Sequence, residues 1–175
     1  MAHVTRLAAL LLLIVGLGGG ARAADLPLEE AVKASYLYKF APFVQWPAAA
    51  FDSPTAPLNI CIGGQDPFGG ALAEAVRGQR VNGHPIVVRH VDAVHADITC
   101  HILFVGGDNA EEMLRAVAGE PVLTVTDRSR GVTGGMIQFV TTAGRVRFMI
   151  DLGTAQNSRI AISSKLLGLA VSVAR

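Results

Sequence analysis

The sequence predicts an α/β protein, a single-domain sandwich in which helices flank a mixed β-sheet and a β-hairpin comes late in the chain. Three observations favour this fold class. Apolar strand patterns alternate with helical patterns through the middle of the sequence, which is typical of parallel strands joined by helices. Two later strand patterns are separated by a short turn, which is typical of antiparallel pairing. The sequence shows no internal repeat and no linker-like segment that would divide the domain.

Residues 1–23 have the three parts of a secretory signal peptide. Arg6 supplies a positive charge, Leu7 to Leu17 form an apolar segment, and Ala21-Arg22-Ala23 has the small residues of a cleavage site. The apolar segment is shorter than the roughly 20 residues that span a bilayer. We therefore expect cleavage that leaves residues 24–175 as an extracytoplasmic domain, with an uncleaved N-terminal anchor as the alternative.

The charge and cysteine content narrow the class of partner and the compartment. Loss of Arg6 and Arg22 with the signal peptide changes the formal net charge from +1 to −1. A near-neutral charge argues against nucleic acid or an anionic membrane as the main partner.

Cys61 and Cys100 are the two cysteines. In an oxidising compartment an isolated pair favours a structural disulfide, with a redox-active or metal-binding pair as the alternative.

The first predicted element is a helix from Leu28 to Val44, because apolar residues recur at helical spacing. Pro42 is expected to end or kink this helix near Lys39 to Ala41. Half of the aromatic residues of the chain lie in or just after it: Tyr36, Tyr38, Phe40, Phe43 and Trp46. We expect most of them to pack on the core, whereas any exposed members could line a pocket or a protein interface.

The middle of the chain continues with a loop at 47–57 and a strand at 58–62. Asp66-Pro67 is typical of a helix start, with Asp at the N-cap, so we predict a helix from there to about Arg77. Asn82-Gly83 predicts a tight turn. The remaining elements of this part are a strand at 86–91, a strand at 101–105, a helix at 110–118 and a strand at 122–125.

The last third predicts a hairpin, a short strand and a final helix. Residues 136–141 and 145–150 form the arms of the hairpin, and the second arm alternates Val146, Phe148 and Ile150 with Arg145, Arg147 and Met149. That alternation predicts one buried and one largely polar face. A strand is expected at 160–162. Ser163 or Ser164 is expected to cap a helix over 165–173, whose core side is supplied by Leu166, Leu167, Leu169 and Ala170.

The sequence contains no motif that requires enzymatic chemistry. The glycine-rich segment 63–70 follows a strand, but it lacks the lysine of a phosphate-binding loop and the glycine spacing of a dinucleotide site. The mature histidines are His84, His90, His95 and His101, which we interpret as surface or strand-edge residues because they have no metal-ligand spacing. We therefore predict no catalytic residues, no cofactor and no metal.

Basic residues are concentrated in the last third of the chain: Arg128, Arg130, Arg145, Arg147, Arg159 and Lys165. Two interpretations remain open. The residues form a solvated polar face, as most surface charges do. Alternatively, they form a patch that receives an acidic partner or a ligand bearing phosphate or carboxylate groups.

Five segments, taken together in order, resemble the YfiR-like family of periplasmic proteins. They span nearly the whole mature chain: Val32–Phe40 with Trp46-Pro47, Asp66–Gly69, Cys100–Val105, Gly134–Phe139 and Ile162–Leu167. The resemblance implies that the Cys61/Cys100 pair is a family disulfide. A second cysteine pair found in some relatives is missing here, so no role of that bridge is expected.

The resemblance implies a regulator rather than an enzyme. Such a protein binds the periplasmic sensing domain of an inner-membrane diguanylate cyclase and holds the cyclase inactive. An outer-membrane lipoprotein can sequester the repressor, which raises cyclic di-GMP and favours biofilm. The family also implies a homodimer.

The partner-binding residues that we select by their chemistry are Tyr36, Tyr38, Phe43, Trp46, Arg145, Arg147 and Lys165. The segments 134–136 and 163–165 come second. Replacement of Trp46 or Phe43 is expected to release the partner without unfolding the domain. The main alternative function is a small-ligand sensor for another membrane signalling protein, which would use the glycine-rich loop ends and nearby arginines. An enzyme, either a thiol oxidoreductase or a hydrolase, is the remaining class.

Overall fold

A computed structural model of the protein describes residues 28–95 and 97–175. The predicted signal peptide at 1–23 lies outside the described residues. In chain order the strands are β1 (Val44–Gln45), β2 (Leu58–Gly64), β3 (Arg80–Val81), β4 (His84–Val91), β5 (Ile102–Gly106), β6 (Leu123–Asp127), β7 (Ile137–Thr142), β8 (Arg145–Asp151), β9 (Ala161–Ile162) and β10 (Ser172–Ala174). The α-helices are α1 (Leu28–Phe40), α2 (Ala71–Ala75), α3 (Ala110–Ala116), α4 (Leu152–Asn157) and α5 (Ser164–Leu167).

A mixed sheet of eight strands forms the centre of the protein, in the order β10-β8-β7-β6-β5-β2-β4-β3. Strands β4, β2, β5, β6 and β7 are mutually parallel, whereas β8 returns antiparallel to β7. A separate antiparallel ladder joins β1 to β9. The predicted α/β class with a mixed sheet and a late hairpin is therefore confirmed.

The sheet has two faces, each with its own core. On the first face, α1 packs its aromatic residues on the hairpin. Phe40 lies 5.9 Å from Phe139 and 5.2 Å from Phe148 between ring centroids, and Tyr36 lies 5.7 Å from Phe148. On the second face, α3 covers β2 and β5, and its core includes Cys61.

The alternation of apolar residues located most strands correctly. The hairpin turns at Ala143-Gly144, both with positive φ, and Phe148 and Ile150 are buried as predicted. The Asn82-Gly83 turn also takes positive φ at both residues and joins β3 to β4. Helix α1 ends at Phe40 and a 3-10 turn over Ala41–Phe43 follows it, so the predicted effect of Pro42 is confirmed.

Two helix predictions were wrong. Helix α2 begins only after Gly70, because Gly69 has a φ of 52° and the Asp66 side chain instead accepts a hydrogen bond from the Phe68 N–H within a turn. The final helix stops at Leu167. Ser163 caps it as predicted, but the chain then passes through Gly168 and pairs beside β8 as β10, which leaves Leu169 63% exposed rather than on the core side.

A buried lysine holds the start of α1 against the end of β6. The Lys33 side chain is 1% exposed, and its ammonium lies 2.6 Å from Asp127 Oδ2 and 2.6 Å from Glu29 Oε1. Beside it, Arg130 donates to Glu30 at 2.8 Å. Burial alone would lower the pKa of Lys33, but the hydrogen bonds to Asp127 and Glu29 outweigh it and hold the pKa above its ordinary value.

We expect Lys33→Met to destabilise the protein by roughly 3–5 kcal/mol, because the buried Asp127 would lose the ammonium at 2.6 Å and keep only the Arg130 guanidinium, whose Nε lies 3.8 Å away. Urea denaturation followed by circular dichroism measures this loss. The matched control is Lys39→Met, on the exposed side of the same helix, which should change the free energy of unfolding by less than about 0.5 kcal/mol. Equal effects of the two substitutions would show that the buried pair contributes no special stability.

Candidate functional site

The predicted partner-binding residues do not form one surface, and four of them lie at two opposite edges of the sheet. We call the edge at which the parallel strands begin the amino edge and the edge at which they end the carboxyl edge. Trp46 contacts His101, which directly precedes β5, and therefore lies at the amino edge. Tyr36, Arg145 and Arg147 line a groove beside the tip of the hairpin, at the carboxyl edge.

The groove at the carboxyl edge lies between α1 and the hairpin and has a volume of about 530 Å³. We call it the α1–hairpin groove. It is lined by Leu28, Glu29, Val32, Tyr36 and residues 144–147. The Leu28 side chain is 82% exposed. Glu29 bridges the two walls, since it pairs with Lys33 and accepts a hydrogen bond from the Thr141 hydroxyl at 2.9 Å. These two hydrogen bonds, Lys33 first, lower the pKa of Glu29.

Phe43 and the segment around Lys165 come together elsewhere on the first face. The Ser163 N–H donates to the Phe43 carbonyl at 2.9 Å, next to the β1–β9 ladder. Phe43 is half-buried against the larger core, and Lys165 is exposed. Tyr38 is half-buried as well, with the Lys39 ammonium 5.8 Å from its ring centroid. The predicted set is thus several patches rather than one surface.

At the amino edge an aromatic stack encloses His101. The Phe51 ring lies 4.2 Å from the His101 ring and 4.0 Å from the His84 ring, between centroids, so Phe51 is stacked between the two histidines. Trp46 meets His101 edge-on at 6.0 Å, and its indole N–H donates to the His101 carbonyl at 3.2 Å. Trp46 therefore has a structural role in holding the loop at 47–57 to the sheet.

The hydrogen bonds of His101 assign its tautomer. Its Nδ1 accepts from the Asn59 N–H at 3.1 Å, so the proton lies on Nε2, which donates to the Ala50 carbonyl at 3.0 Å. Burial lowers the pKa of His101, the bond to Ala50 opposes this change, and the neighbouring His84 lowers the pKa further. His101 is 3% exposed and directly precedes β5, so of the two predicted positions, at the surface or at a strand edge, the surface is wrong for this histidine. The sequence did indicate that His101 is buried, because this residue lies between Cys100 and an apolar strand.

The predicted disulfide between Cys61 and Cys100 is present, with a Cα–Cα distance of 5.8 Å. It joins β2 to the residue just before His101, so the bridge and the aromatic stack restrain the same part of the amino edge. No free cysteine occurs among the described residues. Both cysteines are buried, which suits a structural bridge.

A second groove, of about 810 Å³, runs along the second face beside α3. Its lining includes Leu114, Thr124, Met136 and Ser158, together with the loops at 106–108 and 130–134. The glycine-rich loop after β2 contributes Gln65 and Pro67. The Gln65 N–H donates to the Gly106 carbonyl at 3.1 Å, so this amide is used within the protein.

Within residues 28–95 and 97–175, no group of three or more His, Cys, Asp or Glu side chains is arranged to hold a metal ion. The same residues contain no helix that is both long and apolar enough to span a bilayer.

A family model described as YfiR/HmsC-like matches residues 30–171, which includes both grooves except Leu28 and Glu29 and the whole aromatic stack. Proteins of this family are periplasmic regulators of diguanylate cyclase signalling.

The buried neutral His101 predicts a loss of stability in acid. The pKa of His101 in the folded protein lies below its value in the unfolded chain. As the pH falls through about 6.5, the unfolded chain therefore takes up a proton first. The free energy of unfolding decreases from that pH down to the pKa of the folded protein. Urea denaturation at about pH 7.5 and about pH 5.5, followed by the fluorescence of Trp46, should show this decrease. His101→Gln should reduce the decrease by up to about 1.4 kcal/mol per pH unit, whereas His95→Gln, at an exposed position, should leave it unchanged.

Proposed function

Because the chain belongs to the YfiR/HmsC-like family, we propose that it is a periplasmic regulatory binding protein that represses an inner-membrane diguanylate cyclase. It binds the periplasmic sensing domain of the cyclase and stabilises the inactive form. The signal peptide at 1–23 directs it to the periplasm. We also propose that it acts as a homodimer and is released by an outer-membrane lipoprotein that competes for the repressor.

The observation that carries the docking proposal is the α1–hairpin groove. The exposed Leu28 lies in it with the half-buried Tyr36. Val146 faces it from the hairpin, between Arg145 and Arg147, which border the groove and whose side chains alternate to the other face of the strand. An apolar centre bordered by arginines is typical of a protein-binding surface. Trp46 and Phe43 remain candidates for docking, but the internal contacts of Trp46 favour the carboxyl edge as the docking site.

Repression of this kind works by differential affinity. The regulator shifts the cyclase towards its inactive form only to the extent that it binds this form more tightly than the active one. A competitor that covers the docking groove removes this difference and returns the cyclase to its own equilibrium. Both steps require an accessible surface, which the α1–hairpin groove provides.

Deletion of the gene is expected to raise intracellular cyclic di-GMP, and complementation with the secreted protein should restore the original level. A version without residues 1–23 should not restore it. Leu28→Asp should also fail, because it places a charge in the docking groove while Leu28 contributes little to the core. The matched control is Leu169→Asp, another exposed leucine outside the groove, which should restore repression. If the parent strain expresses the protein and deletion of the gene leaves cyclic di-GMP unchanged, cyclase repression is excluded.

A second candidate function is a small-ligand sensor, which the 810 Å³ groove on the second face favours. Its volume lies in the range of small-molecule sites. Arg115 and Arg130 line it, and both are partly exposed although each has a carboxylate partner. These cations favour a ligand with carboxylate or phosphate groups.

Thermal-shift measurements with inorganic phosphate, citrate and glutamate test this second function. A ligand at 100 times its Kd should stabilise the protein by about 2.7 kcal/mol. Arg115→Ala should abolish the shift, whereas Arg89→Ala, an exposed arginine outside the groove, should not. Absence of a shift with all three probes would count against a carboxylate or phosphate sensor.

A further inference from the structure

The second face of the hairpin is not covered by a helix within the described residues. Phe139 and Phe148 point to α1 on the first face, so the alternate positions of the same strands point to the second face. On this face, α3 packs on β2 and β5 rather than on the hairpin. We call the uncovered hairpin positions, with the adjacent Arg128, the open face. Its strand positions are Gln138, Val140, Thr142, Arg145, Arg147 and Met149.

The arginines of the open face have no carboxylate partner within the part of the chain that the structure describes. Arg128, Arg145 and Arg147 are exposed, and none forms an ion pair with a residue in 28–95 or 97–175. Across the ladder, Arg147 is opposite Val140 and Arg145 is opposite Thr142, so no opposing side chain neutralises them. The Arg128 guanidinium donates to the Met149 sulfur, which carries no charge, at 3.7 Å. Three positive charges therefore share one face without compensation.

The composition of the open face also favours a protein interface. Its strand positions hold arginine and methionine, which are enriched at interfaces, and contain no lysine, aspartate or glutamate, which are depleted there. Arginine forms bidentate pairs with carboxylates and loses little hydration when it is covered. Polybasic membrane contacts instead use clusters of about four to eight basic residues. The charge pattern thus favours an acidic protein over a lipid surface.

We infer that the open face docks an acidic segment of the cyclase sensing domain, whose carboxylates pair with Arg128, Arg145 and Arg147. This inference rests on the proposed function and assigns the chemistry of the partner. Alternate residues of a strand lie about 6.6 Å apart, so Arg145 and Arg147 match two carboxylates at a similar spacing. Val140 and Met149 supply the apolar contact between the charged groups.

The test is binding of the purified mature protein to the purified sensing domain by titration calorimetry, at about 50 and about 300 mM NaCl. Wild-type affinity should fall with salt. The triple variant R128E/R145E/R147E should bind at least roughly tenfold more weakly and lose most of this salt dependence. The matched control is Arg89→Glu on the second face at β4, far from the hairpin. It reverses an exposed arginine that forms no ion pair with another described residue, and this variant should bind within about twofold of wild type.

The binding measurements distinguish a failure of the open-face inference from a failure of the proposed cyclase repression. Circular dichroism first establishes that the triple variant is folded, and the three single variants should each weaken binding if the triple variant does not fold. Equal affinity of the variants and the wild type would overturn the inference while the proposed function stands. No binding of wild type to the sensing domain would overturn both.

Two further measurements test other occupants of the open face. Sedimentation velocity would overturn the inference if the triple variant converted a wild-type dimer to monomer without an effect on cyclase binding. Cosedimentation with vesicles that contain phosphatidylglycerol would overturn it in favour of a membrane if wild type bound the vesicles, the triple variant did not, and cyclase binding was unchanged.

Discussion

The buried pair between Lys33 and Asp127 sets the position of the first helix, and most of the first face depends on it. A lysine that is 1% exposed is unfavourable unless carboxylates surround it, so α1 must place Lys33 where Asp127 and Glu29 can reach it. That requirement brings the start of the helix to the carboxyl edge. It also seats the Tyr36 and Phe40 rings on the hairpin. The α1–hairpin groove exists because the helix is held at this place and this angle.

The two edges of the sheet are built differently, and this difference bears on function. At the amino edge, the Cys61–Cys100 bridge and the stack of Trp46, His101 and Phe51 join the loop at 47–57 to the strands. Side chains there are used for internal contacts. At the carboxyl edge, the hairpin tip and the start of α1 remain exposed. A regulator needs a rigid scaffold and an accessible surface, and the protein separates the two.

The strands and the hairpin could be predicted from the sequence because alternation of apolar residues reports burial directly. Pro42 and Asn82-Gly83 act through local backbone geometry, so their effects were also predictable. The conformation of residues 168–173 could not be predicted from the sequence. Whether this segment forms a helix or a strand depends on the free side of β8, with which β10 pairs, and no local sequence pattern shows that this side is free. The aromatic residues could be recognised as candidates from the sequence. That Trp46 lies at the amino edge and Tyr36 at the carboxyl edge could not be predicted, because it depends on the packing of α1 across the sheet.

The Lys33 cluster also connects the two proposed functions physically. Glu29 lines the α1–hairpin groove, while Asp127 and Arg130 line the larger groove on the second face, and all three belong to the same network of charges. An anionic ligand in the larger groove would compete with Glu30 for Arg130. It would thereby change the electrostatic balance around the first turn of α1, which lines the α1–hairpin groove. The two proposed functions are therefore compatible in one chain. This requires that the ligand has different affinities for the form in which Arg130 pairs with Glu30 and the form in which it does not.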